Sequence, residues 1–215
     1  MHIIEELRTQ FQTKGVSLVA VSKTRSDDQI MELYQLGQRI FGENRVQELV
    51  GKYERLPKDI QWHLIGHLQT NKVKQIAPFI DLIHSIDSLK LLKEVNKQAQ
   101  INDRIINVLL QMHIAEEEAK YGLKESDLQP IFEHILKGDL PNIKAVGLMG
   151  MATYTSDEAK ISAEFGFLQK LFDKVKAHPA VDEDFTVLSM GMSGDYKIAI
   201  QEGANMVRIG SLLFR

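Results

Sequence analysis

The sequence predicts an α/β fold, a single (β/α)8 TIM barrel, on three observations. First, eight short β-branched or apolar runs alternate with eight longer stretches whose apolar residues recur at helical spacing. Second, a helix between successive strands implies parallel pairing through crossovers. An open doubly wound sheet satisfies that too, but the count of eight favours closure. Third, Lys23, Asn44, His67, Asp87, Ser193 and Gly210 stand at, or just after, the C-terminal ends of strands. In a barrel those ends converge on one mouth, where active sites lie. An open sheet would want a glycine-rich turn after its first strand, and the sequence there is Val21-Ser22-Lys23-Thr24-Arg25.

The elements follow in order. A charged, amphipathic opening gives a helix over 2–14, and the strand 16–23 carries the small and apolar run Leu18-Val19-Ala20-Val21-Ser22. The helix 26–36 gathers Ile30, Leu33, Tyr34 and Leu36 near one face and leaves Asp27, Asp28 and Glu32 off it. The strand 39–44 runs into the helix 46–55, which Pro57 ends. Strand 60–66 precedes helix 69–76, and strand 81–87 precedes helix 88–99. The long strand 105–114 leads past the acidic run Glu116-Glu117-Glu118 to the helix 125–136, punctuated by Gly138 and Pro141. Strand 145–151 is followed by helix 156–176 and Pro179, strand 186–192 by helix 195–202 and Gly203, and strand 206–210 comes last.

Composition narrows the class. The 215 residues are 44% hydrophobic and 26% charged, and a chain of this length buries roughly 70% of its unfolded surface. No linker or low-complexity tract divides it, so one domain over residues 1–215 is expected. With no cysteine there is no disulfide framework, thiolate nucleophile or cysteine-held metal. A net charge of −3 argues against an electrostatic nucleic-acid binder. No apolar run approaches the ~20 residues of a membrane span, and the first residues are no signal peptide, so the expectation is a cytoplasmic protein with neither nucleic-acid nor membrane partners.

Several residues have the chemistry for a site. Lys23 shares a strand face with Val19 and Val21 by the two-residue period. An ammonium in such surroundings tends to lose its proton, which would make it a carbonyl nucleophile able to form a Schiff base. The alternative is a lysine snorkelling from a strand end. The segment Met190-Gly191-Met192-Ser193-Gly194-Asp195 ends the seventh strand and opens a helix, with Ser193 suited to the N-cap, and Val207-Arg208-Ile209-Gly210-Ser211 ends the eighth. Turns after strands seven and eight are a recurrent phosphate site of such barrels, although each glycine alone is also an ordinary turn residue. Arg208, between Val207 and Ile209, needs either a carboxylate on a neighbouring strand or a role as a fixed cationic donor at the mouth. Asn44 either caps the helix after it or points into the mouth. His63 and His67 have the spacing of metal ligands on a helix, but Gly66 interrupts any helix there, so a hydrogen-bonding or core role is expected.

Taken together, these segments resemble the pyridoxal 5′-phosphate (PLP) homeostasis protein family. The matching pieces are Ala20-Val21-Ser22-Lys23-Thr24, Phe41-Gly42-Glu43-Asn44 with Gln47-Glu48, and the run from His63 to Lys72. They continue with His84-Ser85-Ile86-Asp87-Ser88, Gly147-Leu148-Met149, the segment from Leu188 to Asp195, and Val207-Arg208-Ile209-Gly210. The resemblance covers essentially the whole chain. The family is similar to the N-terminal barrel of alanine racemase without that enzyme's second domain.

The resemblance implies that Lys23 holds PLP as an internal aldimine, that Ser193, Gly194 and Gly210 line the phosphate cup, and that Arg208 faces the pyridine nitrogen. Asn44, His84 and Met149 belong to the matching segments, and they and Ser211, next to the last of them, are expected to bind the cofactor as well. Lys120 lies in Ala119-Lys120-Tyr121-Gly122, which is similar to a family loop implicated in cofactor handling. Two departures stand out: the chain stops at Phe214-Arg215, where relatives often add a tail, and Arg25 stands where many relatives have lysine.

An arginine cannot accept the proton of a ring nitrogen, so Arg208 in that place would weaken the cofactor as an electron sink. Racemisation also needs an acid or base on each face of the substrate carbon, and alanine racemase takes one from its second domain. With five residues after Gly210, no such domain is expected here. The expectation is therefore a PLP carrier or buffer for intracellular homeostasis, with little or no turnover, a monomer, with apo-PLP enzymes as recipients. A PLP-dependent racemase and a cofactor-free Schiff-base aldolase are the alternatives.

Overall fold

The structure is a computed structural model that describes residues 3–117 and 121–214. Eight parallel strands close into a barrel in sequence order, β1 (Ser17–Val21), β2 (Ile40–Glu43), β3 (Gln61–Leu64), β4 (Leu82–Ile86), β5 (Ile106–Gln111), β6 (Ile143–Met149), β7 (Val187–Ser189) and β8 (Met206–Ile209). Closure is made by β8 on β1, where Val19 stands opposite Arg208. The helices are α1 (Ile3–Gln12), α2 (Asp27–Gln35), α3 (Val46–Arg55), α4 (Val73–Ile76), α5 (Leu89–Ile101), α6 (Leu128–Leu136), α7 (Glu158–Lys176) and α8 (Tyr196–Gln201).

Local chemistry places the helix starts. Ser26 caps α2 through a reciprocal box with Gln29, Ser88 accepts from the Leu91 N–H, and Asp157 accepts from the Lys160 N–H. The expected helix 69–76 divides into a tight turn, Thr70–Lys72, and the single α turn α4. The last helix is also shorter than expected. Its cap is Asp195, not Ser193, and it spans six residues. The expected seventh strand loses its second half because Gly191 takes a left-handed φ of 93° and turns the chain out of the sheet.

Alternate strand residues serve two cores. Phe41, Trp62, Leu64, Ile83 and Val108 face outward and pack with Leu33, Leu49, Ile76 and Val95 of the helices in one large cluster. Inside the barrel, Val19, Leu82, Leu109, Val146, Met149 and Met206 form a smaller, separate cluster. Among the described residues, no helix is long and apolar enough to cross a membrane.

Candidate functional site at the barrel mouth

The strand ends enclose a cavity of about 430 Å³. Lys23, Asn44, Ser193, Gly194, Arg208, Gly210 and Ser211 all line it, so the structure brings seven of the nine expected residues together. His84 and Met149 do not line it. Both are fully buried in the barrel interior beneath it. Their strands do point them inward, but at a lower layer than the mouth. Lys120 lies outside the described residues.

Lys23 stands two residues past β1 and is exposed at the cavity rim, not buried on the strand face it was expected to share with Val19 and Val21. The chain on both sides of it is held firmly. Before it, the Ser22 hydroxyl donates to Glu43 Oε1 at 2.6 Å and the Ser22 carbonyl accepts from Lys52 Nζ at 2.7 Å. After it, Thr24 adopts a left-handed φ of 62°, and its N–H donates to Glu48 Oε2 at 2.9 Å. Lys52 joins the two sides, donating to Glu43 Oε1 at 2.7 Å and lying 3.7 Å from Glu48. Glu43 is fully buried behind the barrel wall, and burial pushes its carboxyl above the ordinary range against the opposing hydrogen bonds of Lys52 and Ser22. Glu43 and Glu48 fall in segments that match the family, but nothing in the sequence marks their partner Lys52, which lies 30 residues beyond the Ser22 carbonyl it bonds.

Among the described residues, no carboxylate pairs with Arg208. It donates to Ser189 Oγ at 2.7 Å and to the Gly150 carbonyl at 3.1 Å, and it is 3% exposed. Burial brings its guanidinium down to about 10, with Asp195 opposing, which leaves it protonated at neutral pH. It is thus the fixed cationic donor, not half of a strand-to-strand ion pair.

Ser193 does not cap α8. Its hydroxyl instead accepts from the Gly210 N–H at 3.3 Å and ties the two terminal turns together, while Asp195 Oδ1 accepts from the Met192 N–H at 2.5 Å. Among the described residues, none accepts from the backbone N–H of Ser193, Gly194 or Ser211. A Cβ on Gly194 would meet nothing within 4 Å, whereas one on Gly210 would crowd the Val21 carbonyl at 3.1 Å. Free donors beside open space suit an anionic group. Asn44 is not a cap either: α3 begins after Arg45. Gly66 lets Asn44 sit close, since a Cβ there would fall 2.3 Å from the Asn44 carbonyl.

On another side of the cavity, His67 takes the hydrogen-bonding role expected of it, whereas Tyr121 and Gln111 are additions to the expected set. His67 donates or accepts at 3.1 Å from Asp87 and stacks on Tyr121 with centroids 3.9 Å apart. Gln111, at the end of β5, donates to the Tyr121 carbonyl at 2.9 Å and also lines the cavity. Gln111 obeys the strand-end rule that singled out the others. Arg25, by contrast, turns away and lies over the Phe214 ring at 5.4 Å. Among the described residues, no group of three or more His, Asp or Glu is placed to hold a metal ion.

A closed eight-stranded barrel with a strand-end lysine, a buried arginine and two joined turns at one mouth defines a recognisable class. The chain belongs to the alanine racemase N-terminal domain family, whose model matches residues 2–215. Within that class it is similar to the pyridoxal phosphate homeostasis protein of Aquifex aeolicus, 42% identical over 198 residues, which cover 92% of this chain and 85% of that one. It is 38% identical over 207 residues to the human protein of the same name, covering 92% of this chain and 75% of that one. PipY of Synechococcus elongatus, with PLP bound, superposes with a TM-score of 0.87 at 34% identity, over 99% of this chain and 98% of that one. Alanine racemase from Bartonella henselae shares the barrel at a TM-score of 0.70 and 16% identity, over 94% of this chain and 58% of that enzyme.

Proposed function

We propose that this chain binds pyridoxal 5′-phosphate at the barrel mouth and serves in its intracellular homeostasis as a carrier or buffer. One observation carries the reading: the Lys23 amine shares a single cavity with the Arg208 guanidinium and with unpaired N–H groups on the Ser193–Gly194 and Gly210–Ser211 turns. Those three groups match an aldehyde, a ring nitrogen and a phosphate. The naming of its relatives and the PLP held by PipY support the same assignment. When bound, PLP supplies a carbonyl that condenses with an amine and a ring that withdraws electrons.

The residues of the chain favour holding over turnover. Lys23 supplies the amine for a Schiff base. Ser193, Gly194, Gly210 and Ser211 orient the phosphate, and Asn44 closes the side of the mouth. Arg208 stays protonated and can only donate to a ring nitrogen, never accept its proton, which would leave that nitrogen unprotonated and weaken electron withdrawal at the carbon that enzymes deprotonate. On this reading the protein is a cytoplasmic monomer that passes PLP to apo-enzymes.

Absorbance spectroscopy tests it. Purified protein incubated with PLP acquires a visible band that Lys23→Ala lacks. Parent protein that remains colourless overturns the assignment. Chiral chromatography of an amino-acid panel tests the second half, and Lys23-dependent inversion at enzymatic rates would refute a carrier role.

A further inference from the structure

Beneath the mouth a second set of polar groups crosses the barrel interior. Arg208 Nη1 donates to Ser189 Oγ at 2.7 Å, Ser189 Oγ lies 3.1 Å from His84 Nδ1, and His84 Nε2 lies 3.0 Å from His63 Nδ1. None of the four residues is more than 5% exposed. His63 borders a second cavity, at the opposite end of the barrel, together with Asp81, Lys144 and Asp184. A row of buried polar groups is costly unless each donor meets an acceptor.

That requirement fixes the direction of the row. A guanidinium only donates, so Ser189 Oγ accepts from Arg208. The Ser189 proton then needs an acceptor of its own, and among the described residues His84 Nδ1 is the one in reach. The His84 proton therefore sits on Nε2 and is donated to His63 Nδ1, and the His63 proton sits on Nε2 beside the lower cavity. The reverse direction would aim an imidazole N–H toward the guanidinium and leave the Ser189 proton without an acceptor. Burial holds the His63 ring down at about 3 and, with His63 and Arg208 adding to it, holds His84 well below its ordinary value. Each ring accordingly has one lone pair and one N–H to contribute.

We propose that His84 and His63 are positioning residues for Arg208, forming through Ser189 a one-way hydrogen-bond chain that fixes the guanidinium, charged and oriented, under the mouth. With its proton turned toward His84, Ser189 presents only lone pairs to Arg208. Without His84 that hydroxyl is free to rotate, and the guanidinium loses its fixed acceptor. The chain is a property of the protein alone. Its effect on a cofactor rests on the PLP reading above.

The test begins with the ligand-free protein. Two-bond 1H–15N NMR at neutral pH is expected to show both rings as Nε2–H tautomers and the Arg208 Nη protons as resolved, slowly rotating signals. In His84→Phe, which removes the acceptor, the Arg208 signals average. In His84→Asn, whose carbonyl oxygen replaces Nδ1, they persist. With PLP added, His84→Phe binds about tenfold or more weakly and shifts the visible band, and His84→Asn restores both. An Nδ1–H tautomer for His84 in the parent protein overturns the proposal even if His84→Phe fails to fold. So does a folded His84→Phe with unchanged Arg208 signals and an unchanged PLP band. If the NMR result holds while the parent takes up no PLP, the cofactor reading fails and the chain stands.

Discussion

Removing the ammonium of Lys52 isolates what secures the Lys23 loop. Its Nζ lies 2.7 Å from Glu43 Oε1 and 2.7 Å from the Ser22 carbonyl, with side-chain exposures of 5% for Lys52 and 0% for Glu43. Lys52→Met keeps most of the volume and leaves Glu43 with the Ser22 hydroxyl as its remaining donor. Breaking a buried pair from one side costs about 3–5 kcal/mol, because the surviving charge is uncompensated. For a chain of this size that corresponds to a fall in Tm of about 6–20 °C. Lys52→Met combined with Glu43→Leu removes both charges and is expected to recover most of the loss. The pH dependence has a definite sign. Burial already raises the Glu43 carboxyl above its ordinary 4.5, and Lys52 opposes that rise. Without Lys52 the carboxyl protonates at a still higher pH. A carboxyl raised in the folded state contributes its stability at low pH and loses it as pH rises through the folded value. The deficit of Lys52→Met is therefore larger at pH 8 than at pH 5. Urea melts at both pH values check this. A loss below about 1 kcal/mol, or a double variant no better than the single one, would refute the account.

Other outcomes follow from the same geometry. His63 sits at about 3 when folded against an ordinary 6.5, so its contribution is complete above pH 6.5 and is lost as pH falls toward 3. Urea midpoints of His63→Leu should therefore vary less steeply with acid than those of the parent, by up to about 1.4 kcal/mol per pH unit. Gly66→Ala forces a Cβ to 2.3 Å from the Asn44 carbonyl and should cost about 1–3 kcal/mol in thermal melts while displacing Asn44 from the mouth. Gly194→Ala meets nothing within 4 Å, so its Tm should match the parent, whereas its affinity for PLP should drop more than its affinity for pyridoxal, which lacks the phosphate.

The alternation of eight strands and eight helices was readable because period two and period 3.6 are properties of neighbouring residues. Of the residues that strand-end position selects, Lys23, Asn44, His67, Ser193 and Gly210 line one cavity. Depth was not readable. Period two says that His84 and Met149 face inward, but how far below the mouth they lie depends on the stagger of strands around the barrel, which no single strand encodes. The Ser193 hydroxyl was misassigned for a related reason. A serine before a helix looks like a cap, and only the approach of β8 supplies the Gly210 N–H it bonds instead. The Lys52 tie and the stacking of His67 on Tyr121 join residues distant in sequence, so neither leaves a local mark.

The seam between β1 and β8 has a kinetic consequence. Val19 pairs with Arg208, so the residues flanking Lys23 meet those flanking Gly210 only when the first strand and the last have found each other. Contacts of such long sequence separation form late, after much of the loop-closure entropy has been spent. A partly folded chain therefore offers a ligand the lysine or the final turns, but not both in one place. Anything that binds the mouth selects the closed barrel and slows its reopening, which makes ligand uptake a report on completed folding.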